Sequence, residues 1–349
     1  MKLAPLIQQY LPACKARYGE QWLPGHLRAI EAMLRCRTPD AGEMLLHCTD
    51  CAAQQRCPRS CGHRSCPQCQ NYETSLWLDR QRAKLLPAAY FMVTFTLPQP
   101  LRALAWRHQT VMYNILFDTA AGTLKDFGLN PNHLGADIGM TAVLHTHARN
   151  LDYHPHCHVI LPGGGLDKIR RQWRKGQGKY LFNAFALAKV FRARFLDAMQ
   201  TAGLAIPDQL PEKWVVHCKH VGQGKPALAY LSRYLYRGVL SENNIIANDN
   251  GKVTFQYVDS RSGKTQYRTL QGEVFLWLLL QHVLPKGCRR VRDYGFLHGN
   301  AKQWLSLVQL ILTVMIDSNP TRTRPAFKCP KCHSPMLVVA WIQPAWQSG

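Results

Sequence analysis

The chain has 349 residues, 43 basic and 21 acidic, for a formal net charge of +22 and a sequence pI near 9.7. Such a length has room for more than one core, and an apolar fraction of 46% excludes a disordered chain. The charge excess points to a polyanionic partner, nucleic acid above all, and no apolar run is long enough to span a membrane.

The 13 cysteines include Cys-x-x-Cys spacings that favour metal binding over disulfides. With no apolar leader at residues 1–19, a reducing cytoplasm is the expected compartment.

Residues 1–40 read as helices interrupted at Pro12 and Pro24, with Trp22, Leu23, Leu27, Ile30 and Leu34 at helical spacing. Cys48-x-x-Cys51 is followed by Cys66-x-x-Cys69, and two such knuckles predict one tetrahedral zinc site of four thiolates. Cys57, Cys61 and His63 lie between them and can belong to a second site or replace one knuckle thiol. Residues 71–86 read as a basic helix, 91–97 as a strand and 101–124 as a helix.

Five histidines fall within residues 145–158. His156-Cys157-His158 runs into Val159, Ile160 and Leu161, which predicts a buried strand. Alternation places His156 and His158 on one face and Cys157 and Val159 on the core side. Residues 142–147 read as a second strand, and an antiparallel pair would bring His145 or His147 opposite as a third metal ligand.

Residues 180–202 read as a helix and 214–221 as a strand. Gly224-Lys225-Pro226 then opens a helix closed by Gly238, on which Tyr230 and Tyr234 share one face, as do Arg233 and Arg237. Asp249-Asn250-Gly251 is the turn of a hairpin over 243–270. A helix over 272–284, a basic segment over 286–294 containing Tyr294, and a core helix over 305–316 follow. Near the end, Cys329-Pro330-Lys331-Cys332-His333 is one knuckle with a histidine, an incomplete zinc pattern. No nucleotide-hydrolysing Gly-x-x-x-x-Gly-Lys-Ser/Thr motif is present.

A histidine-held divalent ion, a tyrosine pair and a large positive charge suit one reaction: tyrosine attack on a DNA phosphodiester, with the metal stabilising the developing charge. The sequence resembles the two-tyrosine HUH transposases of rolling-circle insertion sequences, the insertion sequence 91 family. The motifs that carry the resemblance are Arg64-Ser65-Cys66-Pro67-Gln68-Cys69, His154-Pro155-His156-Cys157-His158 and Tyr230-Leu231-Ser232-Arg233-Tyr234, with Arg237, His282-Val283-Leu284-Pro285-Lys286-Gly287 and Arg292-Asp293-Tyr294-Gly295-Phe296-Leu297.

The resemblance implies an α+β fold. A central antiparallel sheet flanked by helices forms an HUH nuclease domain, preceded by a small helical and zinc-binding domain. The expected units are 1–88, with its cysteine cluster at 48–69; 89–245, with the tyrosine helix at 226–237; 246–325; and a tail at 326–349. In related relaxases a lone histidine stands eleven residues before the pair, which favours His145 over His147.

The expected site is Tyr230 and Tyr234 as nucleophiles, and His145, His156 and His158 on Mg²⁺ or Mn²⁺. Cys48, Cys51, Cys66 and Cys69 are expected on Zn²⁺, and Arg64, Lys225, Arg233 and Arg237 on DNA. The implied partners are single-stranded DNA at insertion-element ends, with a hairpin, and host replication proteins, in a cytoplasmic and nucleoid-associated setting. A plasmid relaxase or replication initiator would use the same motifs. A non-catalytic, zinc-dependent DNA-binding regulator would need only the cysteines, and a three-histidine zinc hydrolase would leave the charge unexplained.

Overall fold

The computed structural model describes all residues except 70, 177–179, 227, 230–231, 233–238, 260–261, 315–325 and 345–349. In chain order the strands are β1 Glu43–Cys48, β2 Gln54–Pro58, β3 Tyr90–Thr96, β4 Met140–His147, β5 Tyr153–Pro162, β6 Gly164–Asp167 and β7 Gln172–Lys175. They continue as β8 Val216–His220, β9 Ile245–Asp249, β10 Lys252–Val258, β11 Thr265–Gln271, β12 Val291–Tyr294, β13 Phe327–Lys328 and β14 Pro335–Ile342. The principal helices are α1 Leu3–Tyr18, α2 Pro24–Arg35, α3 Asn71–Arg82, α4 Arg102–Arg107, α5 Gln109–Leu129, α6 Ala184–Thr201, α7 Gly272–Leu280 and α8 Lys302–Ile311.

The centre is a five-stranded sheet in the order β12-β4-β5-β3-β8, antiparallel throughout. Strand alternation gives it two different faces. Phe91, Val93 and Phe95 of β3, Ala142 and Leu144 of β4, and Cys157, Val159 and Leu161 of β5 all enter the main core, with Met112, Phe117, Phe191 and Phe195 of α5 and α6. The opposite face carries Val143 and Ile160, covered by Trp77 of α3 and by Leu228.

Lys225, Pro226, Leu228, Ala229 and Ser232 are helical. The entry to this helix is fixed by Gly224, which has φ of +84°, and whose Cβ would stand 2.7 Å from the Tyr90 ring. The expected 226–237 helix is thus seen at its start. Tyr230, Arg233, Tyr234 and Arg237 lie outside the described residues.

A second core joins distant parts of the chain. Leu6, Ile7, Ala29, Ile30 and Met33 of α1 and α2 pack with Phe275, Leu276 and Leu280 of α7 and with Val253 and Phe255 of β10. The hairpin turn at Asn250 and Gly251 has positive φ at both residues, 50° and 75°, and joins β9 to β10 in a three-stranded sheet completed by β11. A further sheet, in the order β13-β14-β1-β2, places the tail strands beside the first hairpin of the chain.

Two local expectations change. Pro12 lies inside α1 rather than ending it, because the side of α1 that carries Pro12 faces solvent and water can satisfy the carbonyl it leaves unbonded. The 101–124 helix is two helices, α4 and α5, meeting at His108, and the second runs on to Leu129.

The main core depends on its phenylalanines. Phe191 is fully buried, with ring centroids 4.8 Å from Phe95 and 5.5 Å from Trp214. Phe191→Ala is expected to cost about 3–5 kcal/mol of stability, read as a lowered urea midpoint.

Candidate active site and metal centres

Strand register builds the histidine group. On the face away from the main core, His145 of β4 lies directly opposite His156 of β5, and His158 lies opposite Val143, diagonal to His145. The ring centroids of His145, His156 and His158 are 4.5–5.1 Å apart, and one ring nitrogen from each lies within 4.8 Å of the others. A register shift between His145 and His147 pairs His147 with Tyr153 instead. The bulge therefore separates the two candidates for third ligand. His147 rests against His282, with centroids 5.2 Å apart.

Neighbouring groups orient the rings. The Nδ1–H of His156 donates to the carbonyl of His154 at 2.7 Å, leaving Nε2 for a metal. Nδ1 of His158 meets the Thr94 hydroxyl at 2.9 Å, from the strand on its other side. Arg102 donates to Nδ1 of His154 at 2.5 Å, bracing the same turn of backbone.

Burial pushes all three histidines down, His156 to about 4. The charges of His158 and His156 add to burial at His145, and that of His156 adds to it at His158, so neutral imidazoles are held ready as ligands. His156 is half-exposed, which gives the group an opening to solvent. Three neutral imidazoles around a common centre fit a divalent transition ion.

His282 and the basic segment stand behind this group. His282 is buried, donates from Nε2 to the carbonyl of Leu151 at 3.0 Å, and accepts from the Thr146 hydroxyl at 3.2 Å. It thereby ties the β4–β5 connection to the end of α7. Sequence alone singled His282 out only as part of a motif. Its partners are more than 130 residues away, and no local spacing signals them.

Within 286–294, Arg290 bears electrostatically on His145, His147 and His282, and its carbonyl accepts from Leu144 N–H at 2.9 Å. Lys286, Arg289 and Arg292 line an open groove of about 1000 Å³ along the β12 edge. Arg292 is anchored there by Asn114, at 2.5 Å, and Asp118, at 3.6 Å.

The cysteines regroup relative to expectation. Cys48, Cys51, Cys66 and Cys69 do not form one site. Cys66 and Cys69 join Cys36 and Cys61, whereas Cys48 and Cys51 join Cys329 and Cys332. The reason is β2. It runs back antiparallel along β1, from Gln54 beside His47 to Pro58 beside Glu43, and so carries the chain to the opposite end of the ribbon. There Arg37 N–H bonds the Arg59 carbonyl, and Cys36, just past α2, meets the later knuckle.

In this first group the sulfurs of Cys36 and Cys69, Cys61 and Cys69, and Cys66 and Cys36 are 3.5–3.6 Å apart. Four thiol groups at these separations suit a tetrahedral zinc site. Cys36 was invisible to motif reading because it stands alone in sequence. Cys57 and His63 belong to neither group.

Of the expected DNA-contacting residues, Lys225 is exposed at its helix start. Arg64 is half-buried and donates to the Cys288 carbonyl at 2.7 Å, linking the zinc-binding segment to the basic one.

Comparison with known proteins gives two matches to family models. Residues 6–97 match a family described as "Transposase zinc-binding domain", and residues 139–304 one described as "Putative transposase". The chain is 32% identical to "Putative transposase y4qJ" of Sinorhizobium fredii (strain NBRC 101917 / NGR234), over 93% of each chain. It is 28% identical to the transposase for insertion sequence element IS801 of Pseudomonas savastanoi pv. phaseolicola, over 78% of this chain and 72% of that one. Among the described residues, no helix is long and apolar enough to cross a membrane.

Two outcomes are expected. His26, His154, His156 and His282 are each held at about 4 by burial, below the ordinary 6.5. The unfolded chain therefore binds protons that the folded one refuses, so their stabilisation is complete above pH ~6.5 and is lost as pH falls through about 4. In EDTA, the urea midpoint is expected to fall steadily from pH 7 to 4.5. His282→Ala is expected to weaken Mn²⁺ binding roughly tenfold or more by isothermal titration, since it frees the connection that holds His145 opposite His156.

Proposed function

The chain belongs to the insertion sequence 91 family of transposases, and on that premise we propose that it cuts and rejoins single-stranded DNA at the ends of its element through a 5′-phosphotyrosine intermediate. The observation that carries this reading is the group of His145, His156 and His158 on one sheet face. Leu228 packs on Val143 and Ile160 of that same face, and belongs to the helix whose sequence continues through Tyr230 and Tyr234.

In the proposed reaction a tyrosine hydroxyl forms a bond to the scissile phosphorus and gives up its proton. The 3′ oxygen leaves and ends as a 3′-hydroxyl. The phosphotyrosine conserves the phosphodiester energy, so the reverse attack reseals the strand. Two tyrosines allow two successive transfers. A divalent ion on His145, His156 and His158 would polarise the phosphate. The group contains three imidazoles and no carboxylate, which favours Mn²⁺ over Mg²⁺.

The DNA backbone is proposed to run along the groove of Lys286, Arg289 and Arg292 towards the exposed Lys225. Arg233 and Arg237 are proposed to meet phosphates beside the tyrosines. A hairpin at the element end, host replication proteins as suppliers of single strands, and residence at the nucleoid complete the reading.

The test is a denaturing-gel assay with labelled single-stranded DNA from the element's ends, in Mn²⁺, Mg²⁺ or EDTA. A protein-linked 5′ phosphate is expected with Mn²⁺, less with Mg²⁺ and none with EDTA. Tyr230→Phe combined with Tyr234→Phe is expected to abolish the adduct and spare DNA binding. An adduct that survives the double substitution sinks the nucleophile assignment. Binding without an adduct on every element end instead supports a zinc-dependent regulator.

A further inference from the structure

Two knuckles that sequence spacing does not pair with each other, Cys48-x-x-Cys51 and Cys329-x-x-Cys332, meet at one end of the β13-β14-β1-β2 sheet. Cys48 closes β1 and Cys51 lies in the β1–β2 connection, while Cys329 and Cys332 lie in the β13–β14 connection. β14 pairs antiparallel with β1 from Glu43 beside Ile342 to Cys48 beside Met336, and this register brings the two connections together. The sulfurs of Cys48 and Cys332 are 3.4 Å apart, those of Cys51 and Cys329 3.5 Å, and those of Cys51 and Cys332 3.5 Å.

Disulfide pairing would need two sulfurs at about 2.05 Å, not four at nearly equal separations. A tetrahedral zinc ion with bonds of about 2.3 Å spaces its thiolates about 3.8 Å apart. The turns themselves are closed for the purpose. Cys329 N–H bonds the Ser334 carbonyl at 2.8 Å, His333 N–H the Cys329 carbonyl at 2.9 Å, and Cys48 N–H the Ala53 carbonyl at 2.9 Å.

We infer that Cys48, Cys51, Cys329 and Cys332 form a second structural zinc site, half of it supplied from before and half from after the five-stranded sheet in sequence, which clasps residues 326–342 onto the N-terminal ribbon. The matched zinc-binding segment, 6–97, contains only half of these ligands. Packing is too slight to do the same work. The buried apolar cluster there consists of Leu46, Cys48, Cys329 and Met336, while Leu337, Val339 and Trp341 of β14 are 57%, 53% and 60% exposed. Where apolar burial is this small, metal binding supplies the folding energy. Four thiolates on one zinc ion carry a net charge of −2, and Lys328 and Lys331 flank the tail cysteines. The clasp is independent of the histidine chemistry.

The test counts zinc and follows the tail in the full chain. Native mass spectrometry of Cys329→Ser/Cys332→Ser, and separately of Cys48→Ser/Cys51→Ser, is expected to show one zinc fewer per chain than the unsubstituted protein. Limited proteolysis of either variant is expected to release a C-terminal fragment. Cys36→Ser/Cys61→Ser is expected to lose one zinc with the tail still protected. In the unsubstituted chain, a zinc chelator is expected to raise alkylation of Cys329 and Cys332 at least tenfold, a readout that needs no variant to fold. Unchanged zinc content in both tail-site variants, iron in place of zinc, Cys48–Cys332 or Cys51–Cys329 disulfides in the chain as isolated, or alkylation indifferent to chelator would each overturn the clasp.

Discussion

The antiparallel pairing of β4 with β5 is the constraint on which the site depends. One register decides which side chains enter the α5–α6 core and which are left on the other face. A slip by a single residue would exchange Cys157 and Val159 for His156 and His158, burying imidazoles among phenylalanines and exposing the core residues. The hydrophobic effect therefore holds the histidine geometry from behind. Each fully buried side chain among Phe91, Phe95 and Val159 contributes about 1.5–3 kcal/mol to the one register that works.

Burial also sets the chemistry of the histidines. A sheet face wet on both sides would let them titrate near neutrality and repel a cation in mild acid. Here the rings are enclosed by β3, β4 and β5 and kept neutral, with Thr94 and the His154 carbonyl occupying Nδ1 atoms that would otherwise compete for orientation. The positive charge of Arg290 reinforces the neutral state of His145.

Much of this was legible in the sequence because it is local. The alternation of His156 and His158 with Cys157 and Val159 is written in consecutive residues, and the Asn250-Gly251 turn is written in two. What was not legible depends on where a strand takes the chain. Strand alternation alone left His145 and His147 open, because their difference rests on a bulge that leaves no mark in composition; only the eleven-residue spacing of the resemblance favoured His145, the one grouped with His156 and His158. The cysteine knuckles misled because their separation matched a compact zinc site, whereas β2 spends that separation on a return journey along β1. Cys36 and the Cys329–Cys332 knuckle had no local partner to announce them. Pro12 sits within a helix because what decides its effect is the solvent around it, not its identity.

The pairing of β1 with β14 has a consequence for how the chain comes to be folded. β1 is Glu43–Cys48 and its neighbour β14 is Pro335–Ile342, so the second edge of β1 cannot be covered until the residues of β14 have been made, almost 300 positions later. A hairpin of β1 and β2 formed before β14 is made would present an open row of amide and carbonyl groups. A gene copy shortened at its 3′ end would leave that edge open for good.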